Sequence, residues 1–203
     1  RQRQMCIRDR AEITAGTFQT LDTASAVLFT STCGNDANTV GKLTISGGEF
    51  KHASDTQEMI VDHYDESNSG AAAVTGGRFD ADISKYIPSD YVQSADGTVE
   101  KLGESNAVAK VGDTYYKTLA DAVAAAKADE ATTITLLKDV ELPSYIYIKD
   151  KKNLTLDLNG KNNTRTGNGV FYVGNAKLRV TGTGTIFENQ RDGFAPIIAK
   201  GSP

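Results

Sequence analysis

Apolar and polar residues alternate through the second half of the chain. In TTITLL (Thr132–Leu137), NLTLDLNG (Asn153–Gly160) and KLRVTGTG (Lys177–Gly184) the apolar positions recur at every second residue. Each run ends in a polar or glycine turn, as strands with one buried face do. Aligning Ile134, Leu156 and Val180 gives steps of 22 and 24 residues. A second set interleaves with the first: YIYI (Tyr145–Ile148), GVFYV (Gly169–Val173) and PIIA (Pro196–Ala199), with Ile146, Phe171 and Ile197 at steps of 25 and 26. Two interleaved sets sharing one period predict an all-β solenoid, in which each turn lays a strand directly above the last. Parallel stacking at ~4.8 Å pairs the backbone of each rung with its neighbours, and Leu, Ile and Val stack inside. The expected inward positions include Ile134, Leu136, Leu154, Leu156, Leu158, Val180 and Ile197. The same register predicts two outward columns, Thr133–Thr155–Arg179 and Thr135–Asp157–Thr181.

The first half repeats a shorter phrase: ITAGTF (Ile13–Phe18), LTISGGEF (Leu43–Phe50) and VTGGRF (Val74–Phe79), with the phenylalanines 32 and 29 residues apart. An irregular period around a constant strand core suits coils whose loops vary in length. Between the halves, Leu119, Ala122, Val123 and Ala126 fall at helical spacing, and Thr118 followed by Asp121 resembles a capping box. This predicts a helix from Leu119 to Lys127, placed to cover the open apolar end and unpaired edge of the first coil behind it. Asp96-Gly97 predicts a hairpin turn, and the polar spacer after it a boundary near Glu104–Ala107.

Charge changes the reading of the N-terminus. The chain carries a formal net charge of −4, yet it opens RQRQMCIRDR, a decapeptide of net +3. The remaining 193 residues have a net charge of −7. A basic arm for nucleic acid is one reading of such a cluster. A secretion signal is excluded, because no apolar stretch follows the charges. Arg1–Arg10 resembles one reading frame of a transposase sequencing adapter throughout its length. That resemblance implies that the segment is a translated adapter artefact and the chain a shotgun fragment. The expected organisation is then 1–10 adapter, 11–104 the C-terminal part of a first solenoid module with its closing segment, and 105–203 a capping helix with the first coils of a second module. The acidic body argues against nucleic-acid partners, and no stretch approaches the ~20 apolar residues that span a bilayer. Cys33 is the body's only cysteine, so no internal disulfide is available to it.

The segments AVAKVGDTYYKTLADAVAAAK, TITLLKDVEL, KNLTLDLNGK and LRVTGTGTI together resemble the right-handed parallel β-helix modules of large Gram-positive bacterial surface proteins, adhesin-like repeat proteins of the pectate-lyase-like fold. VTGGRFDADISKYIPSDYVQSADGTVEKL is similar to the segment that closes one such module. The resemblance runs from Leu43 to Pro203 and departs at ADEATTITLL, where a Gly-Asp turn is common. It implies an extracellular, cell-surface location, with signal and anchor outside the fragment. The implied role is a non-catalytic stalk or adhesive surface whose partners are host or microbial glycans or proteins. The same architecture serves polysaccharide lyases and hydrolases, and phage tail-spikes or fibres, which stand as alternatives.

Catalysis on such a coil needs clustered carboxylates on one outer face, for Ca²⁺ or for an acid–base pair. The outward columns offer hydroxyls, the single carboxylate of Asp157 and the single guanidinium of Arg179, so no catalytic residue is assigned. DTQEMIVDHYDESNSG crowds Asp62, Asp65 and Glu66 into a weak Ca²⁺ candidate without EF-hand spacing. His52 and His63, eleven residues apart, match no zinc motif. TGTGTI lacks the third glycine of a dinucleotide loop, where Phe187 stands, and reads as a rung corner. NQRDGFAP reads as a turn, with Arg191 and Asp192 as loop charges. No cofactor is implied. Tyr145 and Tyr147 share one strand face opposite Ile146. With Ile146 inward they form an exposed aromatic pair suited to glycan contact.

Overall fold

The structure, a computed structural model, describes residues 10–20, 27–30, 42–53, 59–62, 72–167, 169–189 and 195–200. The chain forms two compact units, Arg1–Lys101 and Leu102–Pro203. The described residues are mostly strand, with one α-helix among them, and their stacked parallel coils amount to a β-solenoid of about five turns.

In the first unit the strands are β1 (Arg10–Ile13), β2 (Thr17–Gln19), β3 (Leu28–Thr30), β4 (Lys42–Lys51), β5 (Ile60–Asp62), β6 (Ala72–Phe79), β7 (Tyr91–Gln93) and β8 (Val99–Lys101). The repeated phrase is the rung itself. β1 and β2 pair with β4, and β4 with β6, all in parallel, which puts Ile13, Ile45 and Val74 in one column and Phe18, Phe50 and Phe79 in another. The phenylalanine rings stack nearly flat, with centroids 5.0 Å and then 4.4 Å apart. β3 and β5 pair in parallel as a second side. The glycine pairs before Phe50 and Phe79 have a steric cause. A Cβ on Gly47 would stand 2.2 Å from the Thr14 carbonyl oxygen, and one on Gly76 2.2 Å from that of Ser46. The antiparallel hairpin β7–β8, turning at Asp96-Gly97, lies along the far edge of β6: the Phe79 N–H donates to the Gly97 carbonyl at 3.0 Å. Ile83, Ile87 and Val99 of this closing segment join the core that holds Phe50 and Phe79.

The second unit begins with an antiparallel hairpin, β9 (Ala109–Val111) and β10 (Thr114–Tyr116), and the helix α1 (Leu119–Ala125). Three coils follow: β11 (Ala131–Leu136), β12 (Val140–Leu142) and β13 (Ile146–Ile148); β14 (Asn153–Asp157), β15 (Lys161–Arg165) and β16 (Phe171–Gly174); β17 (Lys177–Thr181), β18 (Gly184–Glu188) and β19 (Ile197–Lys200). Every coil-to-coil pairing is parallel. Ile134–Leu156–Val180 and Ile146–Phe171–Ile197 stand in register, as the alternation predicts. Thr133–Thr155–Arg179 and Thr135–Asp157–Thr181 fall in the expected columns. β9 pairs with β11, and the apolar face of α1 (Leu119, Ala122, Val123) is buried in the same core. Thr118 caps the helix: its hydroxyl oxygen accepts the Asp121 N–H at 3.0 Å, and the hydroxyl donates to the Asp121 carboxylate at 2.7 Å.

The structure corrects the sequence reading at several points. Each coil of the second unit has three strands, not two. β12, β15 and β18 form the third sheet, and its middle strand carries Asn163 inward between Val140 and Ile186. The helix stops at Ala125 instead of Lys127: Ala126 turns extended, with φ −66° and ψ 133°, and Lys152 Nζ donates to the carbonyls of Val123, Ala124 and Ala126 at that end. Ile197 shares the column of buried Ile146 and Phe171 but is 39% exposed, and Val180 is half-buried. Both belong to the last described coil, which has another coil packed on one side only. At ADEATTITLL no glycine is needed, since Asp129 itself takes the left-handed conformation, φ 59°.

Candidate binding face

The outer face of the sheet β13–β16–β19 gathers the most exposed aromatic surface of the second unit. With Ile146 and Ile148 buried inward, alternation turns Tyr145, Tyr147 and Lys149 outward, and Tyr145 and Tyr147 are each about half exposed. The register places Tyr147 beside Tyr172 and then Ile198 on successive coils. Tyr145 tilts against Tyr172 at 55°, with ring centroids 4.6 Å apart, within the range where aromatic pairs attract. Two cations lie over the rings: the Arg165 guanidinium 5.7 Å from the Tyr145 centroid and Lys200 Nζ 6.0 Å from that of Tyr172. Arg165 is fixed there by donating to the Gly169 carbonyl at 2.6 Å, while the Gly169 N–H donates to Glu188 at 2.6 Å. Gly174 supplies the room for Tyr147, because a Cβ there would lie 2.7 Å from the phenol oxygen.

Two clefts flank this face. One, of about 680 Å³, runs between α1 and the first coil, with Leu119, Val123, Leu142 and Ile146 in its walls and Tyr145 and Tyr147 at its edge. The other, of about 690 Å³, lies at the corner after the sheet and is lined by Lys151, Lys177 and Lys200 together with Asp129 and Asn175.

The remaining candidates fall elsewhere. Asp157 stands between Thr135 and Thr181, and its Oδ1 accepts the Asn159 N–H at 3.0 Å, which gives the carboxylate a role in the turn. Of the Ca²⁺ candidates, Asp62 contributes backbone to β5; its side chain, and the whole of Asp65 and Glu66, lie outside the described residues, as do Cys33, His63, Arg191 and Asp192. Among the described residues no group of three or more His, Cys, Asp or Glu is placed to hold a metal. His52 has a local partner: its Nδ1 lies 2.9 Å from Asp80, which also accepts the His52 backbone N–H. Among the described residues no helix is long and apolar enough to cross a membrane. The alternation that exposes Tyr145 and Tyr147 is legible in the sequence. The cations above the rings are not, because Arg165 and Lys200 reach the tyrosines through coil stacking. Comparison with protein-family models, with curated proteins and with solved structures finds no match.

Proposed function

We propose that this chain is a non-catalytic module of an exported bacterial surface protein, serving as a stalk or adhesive surface. The observation that carries the reading is the parallel, in-register stacking of three-strand coils in the second unit. Coils of this kind add about 4.8 Å of length per turn without requiring new chemistry. Their outward positions are left free to vary as contact surface. The outward column of the longest sheet sets one carboxylate, Asp157, between two threonines, and that carboxylate is engaged by its own turn. A glycoside-cleaving coil instead brings two carboxyl groups within ~10 Å of each other.

Sedimentation of the purified chain together with a polysaccharide-cleavage assay tests the reading. A monomer that leaves acidic polysaccharides intact is expected. A stable trimer would favour the tail-spike alternative. Turnover that disappears in Asp157→Ala would establish the enzyme.

A further inference from the structure

The net charge of −4 conceals an asymmetry. Residues 102–203 carry 13 basic and 11 acidic side chains, a net of +2, so the acidity resides in the first unit. On the second unit much of the basic charge adjoins the tyrosine face. Lys149 and Lys200 belong to the column that continues outward from Gly174, and Lys151, Lys177 and Lys200 line the corner cleft. Lys151, Lys177 and Lys200 are all exposed. The acids nearby are Asp150, 3.9 Å from Lys149, and Asp129 in the cleft. Lys152, although it reaches the cleft, is committed to the helix carbonyls.

We propose that the outer face of β13–β16–β19 and its basic corner form a binding site for an anionic oligosaccharide. The half-exposed ring of Tyr147 offers a flat apolar face with a polar rim, which matches the C–H face and hydroxyl rim of a pyranose, while the ring of Tyr145 is held beside it by Arg165 and Tyr172. The lysines beyond the rings meet carboxylate or sulfate groups, and the cleft of about 690 Å³ holds a few sugar units. Single-stranded nucleic acid also combines stacking with basic charge, but it fits less well. Tyr172 has Lys200 over its ring and Tyr145 against it, so successive bases would find no run of open aromatic faces. This inference names a ligand class for the adhesive surface proposed above and rests on that reading only in requiring that the sugar be held and not cleaved.

The test titrates the full chain with hyaluronan and heparin hexasaccharides, with neutral chitohexaose, and with a thymidine oligonucleotide, by calorimetry at two salt concentrations. Binding of at least one charged hexasaccharide is expected, weakened by salt and stronger than binding of chitohexaose. Tyr147→Ala should weaken it about tenfold, and the double variant Lys151→Gln/Lys200→Gln should erase the preference for the charged sugar, both with unchanged circular dichroism. Four results would each overturn the proposal: no binding of either charged sugar, equal binding of chitohexaose, undiminished binding by Tyr147→Ala, or tighter binding of the oligonucleotide. Shortened sugar recovered after the titration would instead contradict the non-catalytic reading and leave the binding face standing.

Discussion

The most regular corners of the two units are built by different means. In the first, the corner is a glycine pair pressed against the rung beneath, with 2.2 Å between a hypothetical Cβ and the neighbouring carbonyl oxygen at both Gly47 and Gly76. In the second, the corner that leads into β11, β14 and β17 carries Asp129, Lys151 and Asn175, with φ of 59°, 58° and 51°. Their exposed side chains point away from the stack, and their backbones bond to one another, Asp129 N–H to Lys151 O at 3.0 Å and Lys151 N–H to Asn175 O at 2.7 Å. The corners at Gly47 and Gly76 are therefore limited by space and those at Asp129, Lys151 and Asn175 by backbone conformation. The second unit also has a space-limited corner of its own at Gly184, where a Cβ would stand 2.2 Å from the Lys161 carbonyl oxygen. The first unit also fills its core with a phenylalanine stack, whereas the second packs columns that are aliphatic apart from Phe171 and the buried amide of Asn163.

If space limits the first corner, Gly76→Val should be the most damaging single change, costing about 4 kcal/mol or more because the clash is with backbone. Hydrogen exchange should show protection lost across β4 and β6. Phe50→Ala removes the middle ring of the stack and should cost about 3–5 kcal/mol, read from the denaturation midpoint of the same unit. In the second unit the two informative changes act in the opposite direction. Asn163 is fully buried, and its amide nitrogen and oxygen have no protein partner among the described residues. Asn163→Val should raise stability by about 1–3 kcal/mol, since removing an unsatisfied buried polar group relieves its desolvation penalty. Lys151→Gly should stabilise by about 1 kcal/mol by relieving the left-handed conformation, a gain reduced by the freedom glycine adds to the unfolded chain. Both are measurable as shifts in Tm.

The smallest expected effect lies in the closing hairpin. Asp96 accepts the Thr98 N–H and hydroxyl at 3.1 and 2.9 Å, and these hydrogen bonds hold its carboxyl below the ordinary aspartate value of 3.8. A lowered folded pKa means that this contribution is complete above the unfolded value and is lost as pH falls through the folded one. Protection factors of the hairpin amides, which remove the pH dependence of intrinsic exchange, should therefore fall as pH drops below about 4, and Asp96→Asn should flatten that dependence.

The columns of Ile134, Leu156 and Val180 could be read from sequence to the residue, because alternation with one buried face leaves a single workable register. The third sheet could not. The alternation of β12 spans only three residues, Val140–Leu142, and KNNTR of β15 presents its inward position as asparagine, so the column has no apolar repeat to read. The corners at Asp129 and Lys151 lack the glycine that usually marks φ > 0. The exposed tyrosines followed from the same alternation as the core, while the cations above them depend on which coils stack.

Spin labels on outward positions at the two ends of β11 and β14 test the parallel coil most directly. Ala131 faces Asn153 and Thr135 faces Asp157, so the labelled backbone sites in each of these pairs lie about 5 Å apart and should give equally strong spin–spin broadening, while the diagonal pair Ala131/Asp157, about 14 Å apart at ~3.3 Å per residue, broadens much less. Strong broadening of the diagonal pair with loss of both same-end signals would mean antiparallel strands and would contradict the solenoid.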